Sequence, residues 1–348
     1  MAQRGLSHRV LRWLWTSRRA DARLARLTLL PGSALWRTAV EAKSLAARRG
    51  WLRMHHLPLP TVAVGNLTVG GSGKTPVASW IADYYTSIGL RPGILLRGYR
   101  GGDEAEVHRQ RVPSAVVVAD PDRVAGADQA VAQGAQVLVL DDAFQRLDIH
   151  RDLNIAVVSA EATRAVRWSL PAGPWREGLH ALSRADAVVV TRKRADAGTA
   201  GSLVQELASH VSGPVSCVHL AVATYEGLIS GRRVVAGALA GTRVVAASAI
   251  GDPDAFIAQT KATGAAVQVA TWPDHHAFTD QDVAWLAKAA RKADHVVMTQ
   301  KDAVKLRQRW PASVPEPLVA MLDLRWDEGQ EQLIRLLHAV VAPLDRPQ

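Results

Sequence analysis

The chain is poor in the features that stabilise secreted proteins and anchor membrane-spanning ones. Its 348 residues include one cysteine, Cys217, so no disulfide can form within the chain, which suits a reducing compartment. Apolar runs such as 115–119 are far shorter than the ~18–20 residues that a membrane span needs. Arginines interrupt the apolar residues at the N-terminus, which is therefore not expected to be a cleaved signal peptide. With 48% apolar and 21% charged residues, the composition is that of a globular protein.

Acidic residues are scarce in one segment, residues 1–56. It holds twelve lysines and arginines against two acidic residues, so it carries the whole net charge of +10 and leaves residues 57–348 neutral. Four of the eleven tryptophans also lie there: Trp13, Trp15, Trp36 and Trp51. We expect Pro31-Gly32 to separate two helical stretches. Basic helices with tryptophan and leucine on another face are typical of proteins that lie on anionic membranes.

Two other roles remain open for residues 1–56. The segment could be a basic helix packed on its own domain, or it could bind nucleic acid. Because the rest of the chain has no basic surplus to extend such a footprint, we expect no nucleic-acid partner. An arginine near an anionic leaflet contributes about 1 kcal/mol of attraction, so several could hold the protein there without a span. We therefore favour a membrane surface as the partner of this segment.

Beyond residue 57, short β-branched runs alternate with helical patterns. The expected strands are 61–64, 93–96, 115–118, 136–140, 154–158 and 187–191. Apolar residues recur at helical spacing between the first two of them: Val77, Trp80, Ile81, Tyr84, Tyr85 and Ile88. This alternation predicts a parallel sheet that is covered on both faces.

The stretch 210–216 resembles a boundary, after which the alternation restarts. Strands are expected at 243–247, 266–270 and 295–299, with helices near 254–263 and 281–292. The predicted fold class is therefore α/β, with a P-loop NTPase-type parallel sheet core, a second, smaller α/β domain and a basic N-terminal helical segment. The expected domains are residues 1–56, 57–212 and 213–348.

A glycine-rich loop lies between the first expected strand and its helix, within VGNLTVGGSGKTPVASW (64–80). Glycines let successive N–H groups point at phosphate oxygens, and the helix N-terminus adds a positive end. Lys74 would reach the β- and γ-phosphates of a nucleotide, and the Thr75 hydroxyl would bind Mg²⁺. The predicted nucleotide site is Thr68, Val69, Gly70, Gly71, Ser72, Gly73, Lys74 and Thr75. A glycine-rich turn without a ligand is the alternative reading.

Two residues depart from better-known versions of this loop. Thr68 stands where the general pattern has its first glycine. Val69 stands where the deviant loop of partitioning-type ATPases carries a second lysine, which argues against that dimerising class. We expect a monomer.

Asp141 and Asp142 follow the buried-looking strand QVLVL. Ligands of open α/β sheets bind at the carboxyl ends of strands, so one of these carboxylates is expected to hold Mg²⁺, directly or through water. The alternative is that the two acids only cap the strand.

Ten motifs occur in the order in which they appear in the tetraacyldisaccharide 4′-kinase family, and the chain resembles that family from about residue 28 to 308. They are GNLTVGGSGKTP (65–76), RGYRG (97–101), GDEA (102–105), DDAFQR (141–146), RDLNIAVV (151–158), LPAGPWRE (170–177), RADAVVVTR (184–192), IGDPDAF (250–256), PDHHAFT (273–279) and TQKDAVKL (299–306). The family's loop has Ser or Thr at the position of Thr68, so this departure matches the family.

The resemblance implies a peripheral kinase of the lipid A pathway at the cytoplasmic face of the inner membrane. It would use MgATP to phosphorylate the 4′-hydroxyl of a tetraacyldisaccharide 1-phosphate, in a cleft between two α/β domains. Asp103 resembles the family's proposed catalytic aspartate and His275 its partner histidine. Arg176 and Glu177 match further active-site positions that would bind substrate.

The chemistry agrees with these implied roles. A sugar hydroxyl is barely acidic, so a positioned carboxylate such as that of Asp103 must accept its proton as the new bond forms. Arg176 would neutralise charge on the transferring phosphoryl group or on the substrate's 1-phosphate.

Several departures leave other functions to be tested. Arg146 and Ala143 replace the family's usual histidine and glycine, Gln300 replaces its glutamate, and the segment between RGYRG and GDEA is short. None of these removes a residue that the chemistry needs, so we expect activity. One rival is a membrane-bound P-loop ATPase that switches a protein partner, and the other is a binding protein with weak catalysis.

Overall fold

The structure is a computed structural model that describes residues 10–11, 13–98, 103–161 and 166–342. These residues divide into two compact units, which we describe separately. The larger unit comprises 10–219 and 326–342, and the smaller comprises 220–325. The predicted domain bounds at 56/57 and 212/213 stay predictions.

The strands and helices are as follows. The strands are β1 (Thr61–Asn66), β2 (Pro92–Leu96), β3 (Val116–Ala119), β4 (Val137–Asp141), β5 (Leu153–Ser159), β6 (Ala187–Arg192), β7 (Val215–Gly227), β8 (Arg233–Val235), β9 (Arg243–Ser248), β10 (Ala266–Thr271), β11 (His295–Thr299) and β12 (Leu318–Glu328). The helices are α1 (Ala20–Thr28), α2 (Leu30–Arg48), α3 (Lys74–Ser87), α4 (Asp103–Arg111), α5 (Arg123–Ala132), α6 (Ala197–Ala208), α7 (Pro253–Ala262), α8 (Asp280–Ala290), α9 (Gln300–Leu306) and α10 (Gln330–Val341).

The larger unit is built on a parallel sheet with the strand order β7-β6-β5-β1-β4-β2-β3. Every residue of β1, β2, β4 and β5 is buried. Burial on both faces explains why these strands are continuous apolar runs rather than alternating ones. All six strands predicted for this part of the chain are confirmed, with ends that differ by one or two residues.

The smaller unit also contains parallel strands, in the order β10-β9-β11-β12, and a short antiparallel pair in which β8 follows β7. The three strands and two helices predicted here are confirmed as β9, β10, β11, α7 and α8. The helix α8 begins with a capping box, in which Thr279 and Asp282 bond each other's backbone N–H groups. β7, β12 and α10 are among the elements that were not predicted from the sequence. Of these, α10 belongs to the larger unit, where the Tyr85 hydroxyl donates to the Leu337 carbonyl over 3.0 Å.

The N-terminal segment forms the two predicted helical stretches, α1 and α2, but they meet at Leu29 rather than at Pro31-Gly32. Pro31 lies in the first turn of α2, where its missing N–H leaves no hydrogen bond unmade. Side chains of this segment bond the backbone of the larger unit: the Ser33 hydroxyl donates to the Ser169 carbonyl over 2.8 Å, and the Trp36 indole to the Arg176 carbonyl over 2.9 Å. No helix of the described residues is both long and apolar enough to cross a membrane.

A close approach at Gly65 shapes the end of β1. A β-carbon at this position would lie 2.5 Å from both the backbone nitrogen and the β-carbon of Phe144. Phe144 is fully buried in the segment that follows β4. Only glycine therefore allows that segment to pass against β1.

We predict that Gly65→Ala lowers the free energy of unfolding by about 1–3 kcal/mol, because the added methyl group overpacks against Phe144. The control is Gly201→Ala within α6, where an added β-carbon meets no atom within 4 Å. This control should raise the free energy of unfolding by up to about 1 kcal/mol, since alanine favours a helix. Chemical denaturation measures both variants, and a Gly65→Ala protein as stable as the parent would contradict the packing described.

Candidate active site

The glycine-rich loop has the backbone that a phosphate cradle requires. Gly70 and Gly73 have φ angles of 116° and 87°, in the left-handed region that glycine adopts without strain. Lys74 begins α3 immediately after Gly73, and Thr75 is buried in its first turn. The unbonded N–H groups of this turn and the helix dipole create a positive site for phosphate.

Polar side chains from neighbouring segments hold the glycine-rich loop in place. The Thr191 hydroxyl at the end of β6 donates to the Ser72 carbonyl over 2.7 Å, and the Asn66 amide donates to the Ser72 hydroxyl over 2.7 Å. The Lys193 ammonium group donates to the Gly71 carbonyl over 2.6 Å. These bonds occupy outward-facing acceptors of the loop, so its shape is fixed before any ligand arrives.

The structure explains why the position of Thr68 does not require a glycine. It forms an antiparallel bridge with Trp175, and the next residue, Val69, donates its backbone N–H to the Pro174 carbonyl over 2.8 Å. This part of the loop is thus paired as a short strand, whose extended backbone any residue can adopt.

The two consecutive aspartates make different contacts. Asp141 is the last residue of β4, and its Oδ2 accepts from the Thr75 hydroxyl over 3.3 Å. Asp142 has a left-handed φ of 57°, and its Oδ1 lies 3.3 Å from Lys74 Nζ and 3.0 Å from a terminal nitrogen of Arg176. The chain therefore turns between them, and one carboxylate meets the loop threonine while the other meets two cations.

The charge of Asp142 is stabilised by these cations. Burial raises the pKa of its carboxyl group, but the positive charges of Lys74 and Arg176 outweigh burial, and the pKa lies below its ordinary value. The three groups form a charged cluster at the mouth of the loop, where the phosphates of a nucleotide would lie.

Thr75 and Asp141 are the residues best placed to hold Mg²⁺. Thr75 in the first turn of α3 and Asp141 at the carboxyl end of β4 both offer hard oxygen ligands, which suits this ion. Within the described parts of the chain, no three or more His, Cys, Asp and Glu side chains form a metal site by themselves. A magnesium ion here would need oxygens from a bound nucleotide as well.

A backbone hydrogen bond places Arg176 and Glu177 beside the loop. The N–H of Arg176 donates to the Leu67 carbonyl over 2.7 Å. The Glu177 carboxylate is buried and accepts from Arg184 over 2.8 Å. Arg184 in turn lies over the ring of Phe144, 4.9 Å from its centre. Glu177 thus belongs to an ion pair within the protein, and its role in binding substrate stays a prediction.

Asp103 and His275 lie in different units. Asp103 is the first residue of α4 and is buried. His275 has a left-handed φ of 59°, its N–H donates to the Ala249 carbonyl over 3.1 Å, and its Nε2 lies 3.7 Å from Asp274. A non-glycine residue with positive φ is uncommon and often marks a functional position.

Comparison with known proteins decides the family. The family model described as Tetraacyldisaccharide-1-P 4'-kinase matches residues 25–342. A tetraacyldisaccharide 4'-kinase of Aromatoleum aromaticum is 36% identical over 312 residues, which cover 84% of this chain and 87% of the relative. The chain belongs to the tetraacyldisaccharide 4′-kinase family.

Further relatives support this family membership. A tetraacyldisaccharide 4'-kinase of Alkalilimnicola ehrlichii is 35% identical over 317 residues, covering 86% of this chain and 88% of the relative. Among solved structures, LpxK from Aquifex aeolicus in complex with ATP matches with a TM-score of 0.71 and 27% identity, over 91% of this chain and 99% of that one. The predicted family, the α/β fold class and the kinase class are confirmed, and the ATPase that switches a partner is not favoured.

Two further residues around the aspartates lie outside the motifs of the tetraacyldisaccharide 4′-kinase family. His108 is completely buried and bonds Asp141, and a terminal nitrogen of Arg123 donates to the Asp141 carbonyl over 3.1 Å. Burial lowers the pKa of Arg123 to about 10. Neither residue lies in a motif that the sequence singled out, and the helices that carry them, α4 and α5, were not predicted. Arg146, which replaces the family's histidine, makes two bonds to Asp148 over 2.9 and 2.8 Å.

Glu161 anchors the segment that carries Lys193. Its carboxylate accepts from the backbone N–H groups of Lys193, Arg194 and Ala195 over 2.7, 2.8 and 3.0 Å. Burial raises the pKa of Glu161, but these three bonds outweigh burial and lower it to about 2. The phosphate loop is therefore supported by a group whose charge persists in acid.

We predict that Glu161→Gln destabilises the protein in a pH-dependent way. A folded pKa of about 2, against an ordinary 4.5, means that the ionised group stabilises the fold above pH 4.5. That stabilisation disappears as the pH falls to about 2. Relative to the parent, the variant should lose roughly 2–3 kcal/mol of unfolding free energy at pH 7, and the gap should narrow below pH 4.5.

Urea denaturation at pH 7, 4 and 3 measures this difference. The control is Glu328→Gln at an exposed glutamate, which should change the unfolding free energy by less than about 0.5 kcal/mol. A gap between Glu161→Gln and the parent that stays constant over this pH range would contradict the anchoring role.

Proposed function

We propose that this protein transfers the γ-phosphoryl group of ATP to the 4′-hydroxyl of tetraacyldisaccharide 1-phosphate, forming lipid IVA in lipid A biosynthesis. The observation that carries the proposal is the cluster of Lys74, Thr75, Asp141, Asp142 and Arg176 at the carboxyl ends of β1 and β4. It lies in a chain of the family whose relatives bear this activity in their names. The ATP complex of the Aquifex aeolicus protein supports ATP as the donor.

Lys74 and Arg176 are the groups that would neutralise the phosphates. Both lie within 3.3 Å of the same oxygen of Asp142. A bound triphosphate offers them more negative charge than one carboxylate does, so each can turn to a phosphate oxygen while Asp142 keeps it close. Fixed cations aimed at the transferring group stabilise the charge that spreads over its oxygens in the transition state.

The donor set around Thr75 and Asp141 fits Mg²⁺. A hydroxyl and a carboxylate 3.3 Å apart at the base of the phosphate loop are the pair that P-loop enzymes use for this ion. The ion, when bound, would neutralise charge on the β- and γ-phosphates. Asp142, which pairs with two cations, is then the less suitable ligand of the two.

Asp103 is the proposed acceptor of the proton from the sugar hydroxyl. It lies in the first turn of α4, where the helix dipole favours a negative carboxylate. An ionised carboxylate can take the proton as the oxygen attacks the phosphorus atom. His275 stays a predicted catalytic residue of the smaller unit.

We predict that Asp103→Asn lowers kcat for lipid phosphorylation by about 10²–10⁴-fold, because asparagine cannot accept the proton. The KM for ATP should change little, since the loop contacts remain. The control is Glu104→Gln, which removes the neighbouring negative charge on α4 and should keep kcat within severalfold of the parent. An Asp103→Asn protein with near-parental kcat would remove Asp103 from the mechanism.

We also propose that the protein binds the cytoplasmic face of the inner membrane through α1 and α2. Besides its net charge of +10, the N-terminal segment exposes apolar side chains, with Leu24 65% and Leu27 51% exposed. The two leucines are three residues apart and share one face of α1. Exposed leucines among arginines favour the interface of an anionic bilayer, where the acyl chains of the substrate would lie.

We predict that the double substitution Leu24→Glu and Leu27→Glu reduces sedimentation with vesicles of phosphatidylglycerol and phosphatidylcholine severalfold. The substitution removes apolar contact and adds charge that the anionic surface repels. The control is Ile229→Glu, an equally exposed apolar residue in the smaller unit. Unchanged sedimentation of the double variant, or an equal loss in the control, would refute the membrane role of α1.

A further inference from the structure

A chain of buried side chains connects α3, α4 and β4 beneath the phosphate loop. The Ser79 hydroxyl lies 2.9 Å from His108 Nδ1, and His108 Nε2 lies 3.1 Å from Asp141 Oδ2. The Thr75 hydroxyl reaches the same Asp141 oxygen over 3.3 Å. Ser79, His108 and Asp141 are 2%, 0% and 2% exposed. These contacts join the first two turns of α3 to the carboxylate at the end of β4.

The Asp141 carboxylate fixes which atoms donate and which accept in these hydrogen bonds. An ionised carboxylate only accepts, so His108 Nε2 must carry the hydrogen that bonds Asp141. In the neutral ring, Nδ1 then accepts the hydrogen of the Ser79 hydroxyl. Each of the three side chains thereby has a hydrogen-bonding partner among the others, as is usual for buried polar groups.

The same residue types occur in hydrolytic triads, but this arrangement cannot act as one. A nucleophilic serine has to reach a substrate, and the Ser79 hydroxyl is enclosed within the larger unit. Its histidine contact therefore serves to hold the imidazole rather than to activate an attack. These hydrogen-bonded side chains fix the orientation of the Asp141 carboxylate.

We propose that His108 is a positioning residue for the magnesium site. It holds the Asp141 carboxylate towards the Thr75 hydroxyl, so that the two oxygen ligands are in place before MgATP binds. The proposal rests on the MgATP chemistry proposed above and adds a residue to it. Groups that orient metal ligands typically contribute about 10–100-fold to metal affinity or activity.

Because His108 lies on α4, its bond to Asp141 also affects the position of Asp103. It follows Asp103 by five residues on the same helix, about 7.5 Å along the helix axis. Its bond to Asp141 therefore ties the helix that begins at Asp103 to the strand that ends beside the phosphate loop. The proposed proton acceptor and the proposed metal ligand are held in register through one imidazole.

The decisive comparison is His108→Gln against His108→Asn. The glutamine amide can take the place of Nε2 and keep a donor towards Asp141, whereas the shorter asparagine amide reaches only the Ser79 side. Both place a neutral amide in the same buried position, so their costs to folding are similar. Ser79→Ala removes only the support of the ring and should have an intermediate effect.

The measurement is Mn²⁺ binding to the protein–ADP complex, followed by electron paramagnetic resonance. We expect His108→Asn to weaken Mn²⁺ binding about 10–100-fold, His108→Gln to stay within about threefold of the parent, and Ser79→Ala to fall between them. The affinity for ADP without metal should not change in any variant. Because no lipid acceptor is present, the result does not depend on whether the lipid is phosphorylated.

The control for a purely structural effect is Val107→Ala on the same helix. Val107 is buried beside His108, so its truncation loosens α4 without touching a polar contact. It should lower the melting temperature while leaving Mn²⁺ binding unchanged. Equal Mn²⁺ affinity in His108→Asn and His108→Gln, or an equal loss in Val107→Ala, would overturn the proposal.

Discussion

The register of β1 against β4 is the constraint on which the rest of the site depends. Val64 is paired with Asp141, so β4 ends two residues before β1 does, close to the start of the phosphate loop. A shift of one residue would turn Asp141 to the other face of the sheet, because strand side chains alternate. Gly65 protects this register, since only a residue without a β-carbon lets Phe144 pass so closely. The contact between Asp141 and Thr75 follows from that packing.

A second feature is that the adjacent carboxylates of Asp141 and Asp142 have different partners. The left-handed backbone of Asp142 redirects its side chain away from the path of Asp141, so the two charges do not compete for one partner. Asp141 is bonded by the Thr75 hydroxyl and the His108 imidazole, at the position proposed for the metal ion. Asp142 is paired with Lys74 and Arg176 and keeps two cations beside the loop for an incoming triphosphate.

Hydrophobic patterning was sufficient to predict nine of the twelve strands in the described residues, because buried parallel strands are continuous apolar runs, and helical spacing predicted α3, α7 and α8. The phosphate loop from Gly70 to Thr75 could also be predicted, since all of its residues are adjacent in the sequence. The break at Pro31 was misplaced because proline suits the first turn of a helix as well as a turn between helices. His108 and Arg123 could not be found from pattern, because their partners are more than ten residues away and meet them only in the folded sheet.

The central claim is that the γ-phosphoryl group goes to a lipid-linked sugar and not to water or a protein. Purified protein, MgATP and tetraacyldisaccharide 1-phosphate in mixed micelles test it directly, with mass spectrometry of the lipid and parallel measurement of ADP. The account predicts a lipid that gains one phosphate at the 4′ position, with one ADP formed for each phosphate transferred. An unchanged lipid, with ADP released equally fast whether or not the disaccharide is present, would contradict it.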